Sequence, residues 1–280
     1  TGAKLVCMPQ FTSNNLLDVL EKHRVTLFYA VPPILQLMTY DERFKKHHLE
    51  NTRSLGCGAA PVTSEVVAHF QAKMGSNFEI HQGYGLSEAS PLVTTGKVAD
   101  LRSVGFIVPN TQVRIVDSET DSRKNLEFFK SGEILVRGPQ VMKGYYKNIK
   151  ATNECMDGEW LKTGDIGHFD DKGQLFITGR MKELIKVQGC QVSPTELENI
   201  IQSHEKIADA AVVGVPHEKF GEIPKAFVIL KKGANVSEQE IKEYVAQRVV
   251  KYKQLGHVVI TDNIPKSPAG KILRRELQKL

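Results

Sequence analysis

The chain has 280 residues, 41% hydrophobic and 25% charged, with 37 Lys and Arg against 32 Asp and Glu for a net charge of +5 at pH 7. That length supports a sizeable core and more than one domain, and the composition lies far from that of disordered or small stapled proteins. The basic excess is mild and spread along the chain, which excludes nucleic acid as an expected partner and favours anionic small ligands only weakly.

In chain order, residues 4–8 form a short apolar run expected as a strand, Leu16, Val19, Leu20 and His23 recur at helical spacing, and residues 25–31 are rich in β-formers before a stop at Pro32 and Pro33. This alternation is the βαβ rhythm of a parallel sheet. A helix is expected over residues 63–74 and a strand over 78–81. The rhythm then changes: residues 113–116, 133–136 and 141–146 read as strands separated by turns, a small antiparallel or barrel-like subdomain. After Arg180, Ser193-Pro194-Thr195-Glu196 has the form of a capping box with proline at the first helical position. Strands at 210–215 and 226–230 follow, then a helix capped by Ser237 and Glu240, and a last strand at 258–261. The final hundred residues make an α+β unit with a boundary near residues 179–182.

Cys7, Cys57, Cys155 and Cys190 are far apart and contain no C-x-x-C pair, so neither a zinc site nor a disulfide framework is expected, and a reducing compartment is the simpler reading. No apolar run approaches the roughly 18 residues of a membrane span. The start, Thr1-Gly2-Ala3-Lys4, has neither an initiator methionine nor a signal peptide's apolar centre and reads as the interior of a longer protein. The ending, Gln278-Lys279-Leu280, resembles a peroxisomal address without its serine, so a cytoplasmic or peroxisomal location is expected.

Five short stretches could carry chemistry. In HQGYGLSEASPL, residues 81–92, Tyr84 can stack on a base, Ser87 can donate to a phosphate and Glu88 can hold Mg²⁺. Alone it is an ordinary glycine-rich turn, lacking the third glycine of a dinucleotide fingerprint. GCGAAP, residues 56–61, has the small residues that let backbone approach a flat ring, though a tight strand-to-helix connection explains it as well. LKTGDIG, residues 161–167, places Asp165 where a carboxylate can accept the hydroxyls of a ribose. GRMKELIKVQGCQVSPTELE, residues 179–198, reads as a solvated charged linker except for the apolar Leu184, Ile185 and Val187 within it. Finally, PKSPAGKILRREL, residues 265–277, sets Lys271 after a glycine, yet Pro265 stands where a phosphate loop needs its first glycine and Ile272 where it needs a hydroxyl.

Taken in order, Tyr-Gly-x-Ser-Glu, Thr-Gly-Asp, Gly-Arg-x-Lys-Glu-Leu-Ile-Lys with Gln-Val-x-Pro-x-Glu-Leu-Glu, and Pro-Lys-Ser-x-x-Gly-Lys resemble the motif series of the adenylate-forming enzymes, specifically the C-terminal half of an acyl-CoA synthetase of the 4-coumarate-CoA ligase and firefly luciferase group. The resemblance runs over the whole chain. It implies an α/β fold: the later part of a large AMP-binding domain, an α/β sheet plus a small β subdomain, over residues 1–181, and a small mobile α+β C-terminal domain over 182–280.

The resemblance also implies ATP-dependent activation of an aryl or fatty carboxylic acid as an acyl-adenylate and its transfer to CoA, with ATP or AMP, Mg²⁺ and CoA as ligands. Carried over residue by residue, Tyr84 stacks on adenine with Gly58, Ala59 and Ala60 on its other side, Ser87 donates to the AMP phosphate, Glu88 holds Mg²⁺, and Asp165 and Arg180 bind the ribose. Gly83, Pro91 and Leu92 belong to the acyl pocket, and Lys182 is the hinge. Lys271 serves adenylation in one pose of the small domain, while Lys186, Gly189 and Gln191 serve thioester formation in the other. The family's Ser/Thr/Gly-rich loop for the β- and γ-phosphates has no counterpart between Thr1 and Tyr84, so a chain inactive by itself is expected. A luciferase-like oxidase and a non-catalytic nucleotide-binding module are the alternatives.

Overall fold

The structure is a computed structural model and describes residues 2–58, 64–75, 79–97, 102–117, 124–267 and 270–280. The chain divides into two compact units, one of residues 1–112, 136–154 and 170–176, the other of residues 113–135, 155–169 and 177–280.

The first unit is built on a sheet ordered Leu27–Ala30, Ser54–Cys57, Glu79–Gly85, Leu92–Lys97, Phe106–Ile107. Its first three strands are parallel, and the hairpin from Glu79–Gly85 into Leu92–Lys97 is antiparallel. Helices Ser13–His23, Pro32–Tyr40 and Ser64–Met74 alternate with these strands. They bury Leu16, Leu20, Leu35, Met38, Phe70 and Met74 against Phe28, Leu55 and Ile80. Each such side chain contributes about 1.5–3 kcal/mol by leaving water.

One expectation fails here. Residues 4–8 form no strand, and Leu5 is exposed; an apolar run becomes a strand only beside a neighbour that pairs its backbone. The strand ends before Pro32 as expected, at Ala30, and Pro32 and Pro33 then begin a helix, occupying the first turn where no N–H is required. That helix ends on Lys73, whose ammonium donates to the carbonyls of Met38, Thr39 and Asp41 at 3.0, 2.9 and 2.7 Å, satisfying the terminal acceptors that an α-helix leaves over.

A second sheet, ordered Leu175–Arg180, Trp160–Phe169, Gly132–Arg137, Gln112–Val116, lies mainly in the second unit. Residues 141–146 are not one of its strands, contrary to the sequence reading; their backbone is engaged with the Glu88 turn described below.

The third sheet is ordered Cys190–Val192, Ile185–Val187, Gly221–Leu230, Ile207–His217, with His257–Ile260 also on Gly221–Leu230. Helices Pro194–Gln202 and Glu238–Ala246 bury Leu197, Ile201, Ile241 and Val245 against it. On its other side Ile264 and Leu277 pack with Ala211, Val213 and Phe227. Ser237 and Glu240 form the complete capping box that the sequence announces. Ser193 caps its helix alone, because the Glu196 carboxylate turns to Lys253 at 2.7 Å instead of back to the cap.

Candidate functional site

The strand Glu79–Gly85 is where the first sheet changes from parallel to antiparallel, and open α/β sheets bind ligands beyond the carboxyl ends of their parallel strands. Gly58 follows one such end and Ser87 another. The two ends touch: a Cβ on Gly58 would stand 3.4 Å from the Gly83 carbonyl oxygen. Ala59 and Ala60 lie outside the described residues. Tyr84 is half-buried and opposes Thr94.

Gly85 cannot be another residue, since a Cβ there would sit 1.9 Å from the Pro91 carbonyl oxygen. This close approach lets the Leu86 N–H donate to that oxygen at 2.8 Å, closing a loop around the single 3₁₀ turn Ser87–Ala89. Ala89 is fully buried beneath the turn and Ser87 is exposed on it. Leu92 lies beside Gly83, its Cδ1 3.5 Å from where a Cβ would be. Gly58, Gly83, Tyr84, Ser87, Glu88, Pro91 and Leu92 are therefore brought together by one hairpin and its neighbour strand.

Glu88 is held twice by the segment after Gly138. Its carbonyl accepts from the Met142 N–H at 2.8 Å, and its Oε1 accepts from the Tyr145 hydroxyl at 2.7 Å. A carboxylate so oriented offers hard-oxygen ligands, the chemistry Mg²⁺ selects while keeping its waters. A second group of metal-ligand atoms, Glu21, His47 and His48, lies within 4.8 Å of one another. There the His48 Nε2 and a Glu21 oxygen are in hydrogen-bond range at 3.2 Å, and the two imidazoles stack at 4.1 Å. Stacked rings point their lone pairs side by side rather than at one ion, so this reads as a packed and hydrogen-bonded pair.

The second unit carries the remaining residues. Asp165, on Trp160–Phe169, accepts at Oδ1 from the Arg180 Nε at 2.8 Å, across adjacent strands. Its carboxylate is 10% exposed and the guanidinium 51%. Thr163 fixes the approach: its hydroxyl donates to the Ile134 carbonyl at 2.8 Å and accepts from the Asp165 N–H at 3.1 Å. Arg180 then leads into the short 3₁₀ turn Met181–Glu183, on which Lys182 is exposed.

Strands Ile185–Val187 and Cys190–Val192 form a hairpin with a two-residue loop. Gln188 and Gly189 have φ of 52° and 82°, both positive as a type I′ turn requires, which is the reason for glycine at 189. Ile185, Val187 and Val192 face the core, and Lys186 and Gln191, directly opposed, both face out. Lys271 is exposed on a separate loop closed by Ser267, whose hydroxyl accepts from the Lys271 N–H at 3.2 Å and whose N–H donates to the Lys271 carbonyl at 2.8 Å. The loop is thus a closed presentation of one ammonium group, with no glycine-lined cradle of its own among the described residues.

Sequence reasoning missed Tyr145 and Thr163, which orient Glu88 and Asp165. Tyr145 stands 57 residues from its partner and leaves no local signal. Thr163, two residues before Asp165 in Lys-Thr-Gly-Asp, was legible as a short-range hydroxyl bridge.

Residues 1–146 match the AMP-binding enzyme family and residues 196–271 the AMP-binding enzyme C-terminal domain. The chain is 42% identical to 4-coumarate-CoA ligase 1 of Glycine max over 99% of its own length and 96% of that sequence. It is 43% identical to 4-coumarate-CoA ligase-like 9 of Arabidopsis thaliana, over all of this chain and 50% of the relative. Among solved structures, ATP-bound MatB from Rhodopseudomonas palustris is 28% identical with a TM-score of 0.88, over 98% of this chain and 54% of that one. The o-succinylbenzoate CoA synthetase MenE of Bacillus subtilis, in complex with its acyl-adenylate intermediate, is 29% identical with a TM-score of 0.79, over 96% and 54%. The chain thus spans about half the length of the Arabidopsis relative and of these structures.

Proposed function

The chain belongs to the AMP-binding enzyme family, as the C-terminal portion of an adenylate-forming enzyme similar to 4-coumarate-CoA ligases, and from that premise we propose that it supplies the AMP site and the mobile domain of an ATP-dependent acid-thiol ligase. The observation that carries the reading is the hairpin Glu79–Gly85 and Leu92–Lys97. It sets an aromatic ring, a hydroxyl and an oriented carboxylate in sequence at the switch point of the sheet.

In this reading a carboxylic acid, aryl or fatty, attacks the α-phosphate of ATP, pyrophosphate leaves, and the CoA thiol then displaces AMP from the acyl-adenylate. Tyr84 stacks on the adenine, with Gly58 across from it, and Ser87 donates to the α-phosphate. Asp165 accepts from the ribose hydroxyls while holding Arg180 beside them. Glu88 is the residue that would hold Mg²⁺, which when bound screens the phosphate charge. Gly83, Pro91 and Leu92 contact the acyl group. Lys271 places its charge against the oxygens that grow crowded and negative during adenylation. Lys186 and Gln191, on the outward face of their hairpin with Gly189 in its turn, meet the adenylate in the thioester-forming pose, and Lys182 is the pivot between the two. Residues 1–181 and 182–280 are the two moving parts.

The test joins this chain to the upstream half of a 4-coumarate-CoA ligase. Lys271→Ala is expected to abolish acid-dependent pyrophosphate exchange while leaving conversion of a supplied acyl-adenylate to thioester intact, and Lys186→Ala to do the reverse. The 280-residue chain alone is expected to form no acyl-CoA. Equal loss of both half-reactions in each variant, or turnover by the isolated chain, would overturn the reading.

A further inference from the structure

Three residues after Lys271 begins the short helix Arg274–Leu277, and Arg274 is the most heavily engaged cation in this part of the second unit. Its Nε donates to Glu183 Oε2 at 2.7 Å, its Nη2 to Glu198 Oε2 at 3.1 Å, and its Nη1 to the Val212 carbonyl at 2.8 Å and to Glu198 Oε1. Glu198 Oε1 also accepts from the Val212 N–H at 2.8 Å. The arginine side chain is 14% exposed and that of Glu198 7%. Burial opposes the guanidinium charge, but the hydrogen bonds and charges of Glu198 and Glu183 outweigh it and raise the Arg274 pKa.

The ordinary reading is a buried ion network that stabilises the fold. Such networks are poor stabilisers, because desolvation consumes most of the Coulomb gain, and their best-attested use is to fix a register that apolar packing leaves free. The partners here are specific in that sense. Glu183 immediately follows Lys182 and stands three residues before Lys186, while Arg274 stands three residues after Lys271. The other leg of the Lys271 loop is tied as well, by Lys266 Nζ to Asp209 Oδ2 at 2.5 Å, and the legs are joined by the Leu273 N–H to the Pro265 carbonyl at 2.9 Å.

We propose that Arg274 is a positioning residue: through Glu183 and Glu198 it locks the Lys271 loop to the segment that carries Lys182 and Lys186, so that rotation at Lys182 is delivered to both lysines at once and in fixed relation. The functional part of this rests on the ligase reading above, and the lock itself does not. A slack loop would let Lys271 miss the α-phosphate in the adenylation pose while the Lys186 hairpin still reached the adenylate in the other.

The experiment is amide hydrogen exchange on the 280-residue chain, wild type against Glu183→Gln and Arg274→Lys. The reporters are the Ser267 and Leu273 N–H groups, which close the loop. The references are hairpin 185–192 and helix Glu238–Ala246. Loss of one charge-assisted bond is expected to speed the reporters about tenfold in both variants with the references unchanged. No change at the reporters overturns the lock. So does an equal rise over the whole unit, which would make these residues plain stabilisers. In the joined enzyme, Arg274→Lys is expected to lower the rate of pyrophosphate exchange without raising the KM for ATP, while thioester formation from supplied adenylate is kept. If the exchange result holds and the kinetic one fails, the lock stands and its role in the ligase cycle falls.

Discussion

Replacing Asp165 by alanine tests the nucleotide reading most directly, because the proposed ribose contact gives the effect both a sign and a size. AMP and ATP share the ribose, so a carboxylate that accepts from the ribose hydroxyls must matter equally to both. At 10% exposure the Asp165 side chain is well shielded from water, and a hydrogen bond to such a charged group is worth about 1.5–3 kcal/mol. At 1.4 kcal/mol per decade this is a loss of about 10- to 150-fold in affinity. Arg180 is its partner at 2.8 Å but is 51% exposed. Solvent there leaves an ion pair worth about 0–1 kcal/mol, so Arg180→Ala is expected to cost about fivefold or less. Titration calorimetry of the chain with AMP and with ATP, on variants whose circular dichroism matches wild type, measures all four numbers. ATP is expected to bind no tighter than AMP. The reasoning is refuted by a loss below threefold for Asp165→Ala, by a larger effect at Arg180 than at Asp165, or by unequal effects on the two nucleotides.

Gly85→Ala drives a methyl to within 1.9 Å of the Pro91 carbonyl oxygen; overpacking against backbone costs about 3 kcal/mol or more, so a lower urea midpoint is expected together with loss of AMP binding as the Tyr84 hairpin shifts. Burial pushes the Cys57 thiol up to about 11. At pH 8 its thiolate fraction is then about a hundredfold below that of an exposed cysteine, and an aromatic disulfide reagent should titrate Cys7 and Cys190 quickly and Cys57 only on unfolding. The hydrogen bonds from Arg43 lower the Asp41 carboxyl to about 2 from 3.8. A depressed carboxylate lends stability above its unfolded pKa that is lost as pH falls through the folded value. The gap in urea midpoint between wild type and Asp41→Asn should therefore be constant near neutrality and close between about pH 4 and pH 2.

What the sequence made legible was whatever is decided within a few residues. Ser237 and Glu240 cap a helix because their side chains reach each other's backbone three positions away. The order of the motifs is also local information, and it carried the family. The failures lie where the deciding partner is remote. Glu196 abandoned its box for Lys253, 57 residues on. Residues 141–146 lost their strand to the Glu88 turn. Arg274 found Glu183 across 91 residues.

Helices Ser13–His23, Pro32–Tyr40 and Ser64–Met74 all pack on one face of the first sheet, through Phe28, Ala30, Leu55 and Ile80. The alternate residues of the same strands point the other way, and there Leu27 and Tyr29 are exposed, Tyr29 to 74%. A parallel sheet is ordinarily covered on both sides, and an edge strand with free backbone groups adds to the exposure. At the bench this gives the molecule a sticky side. Concentrating it will favour self-association, an apolar dye will light up on the folded protein, and crystallisation or assay will go best when a partner, a detergent or a polar substitution at Tyr29 is laid over that bare face.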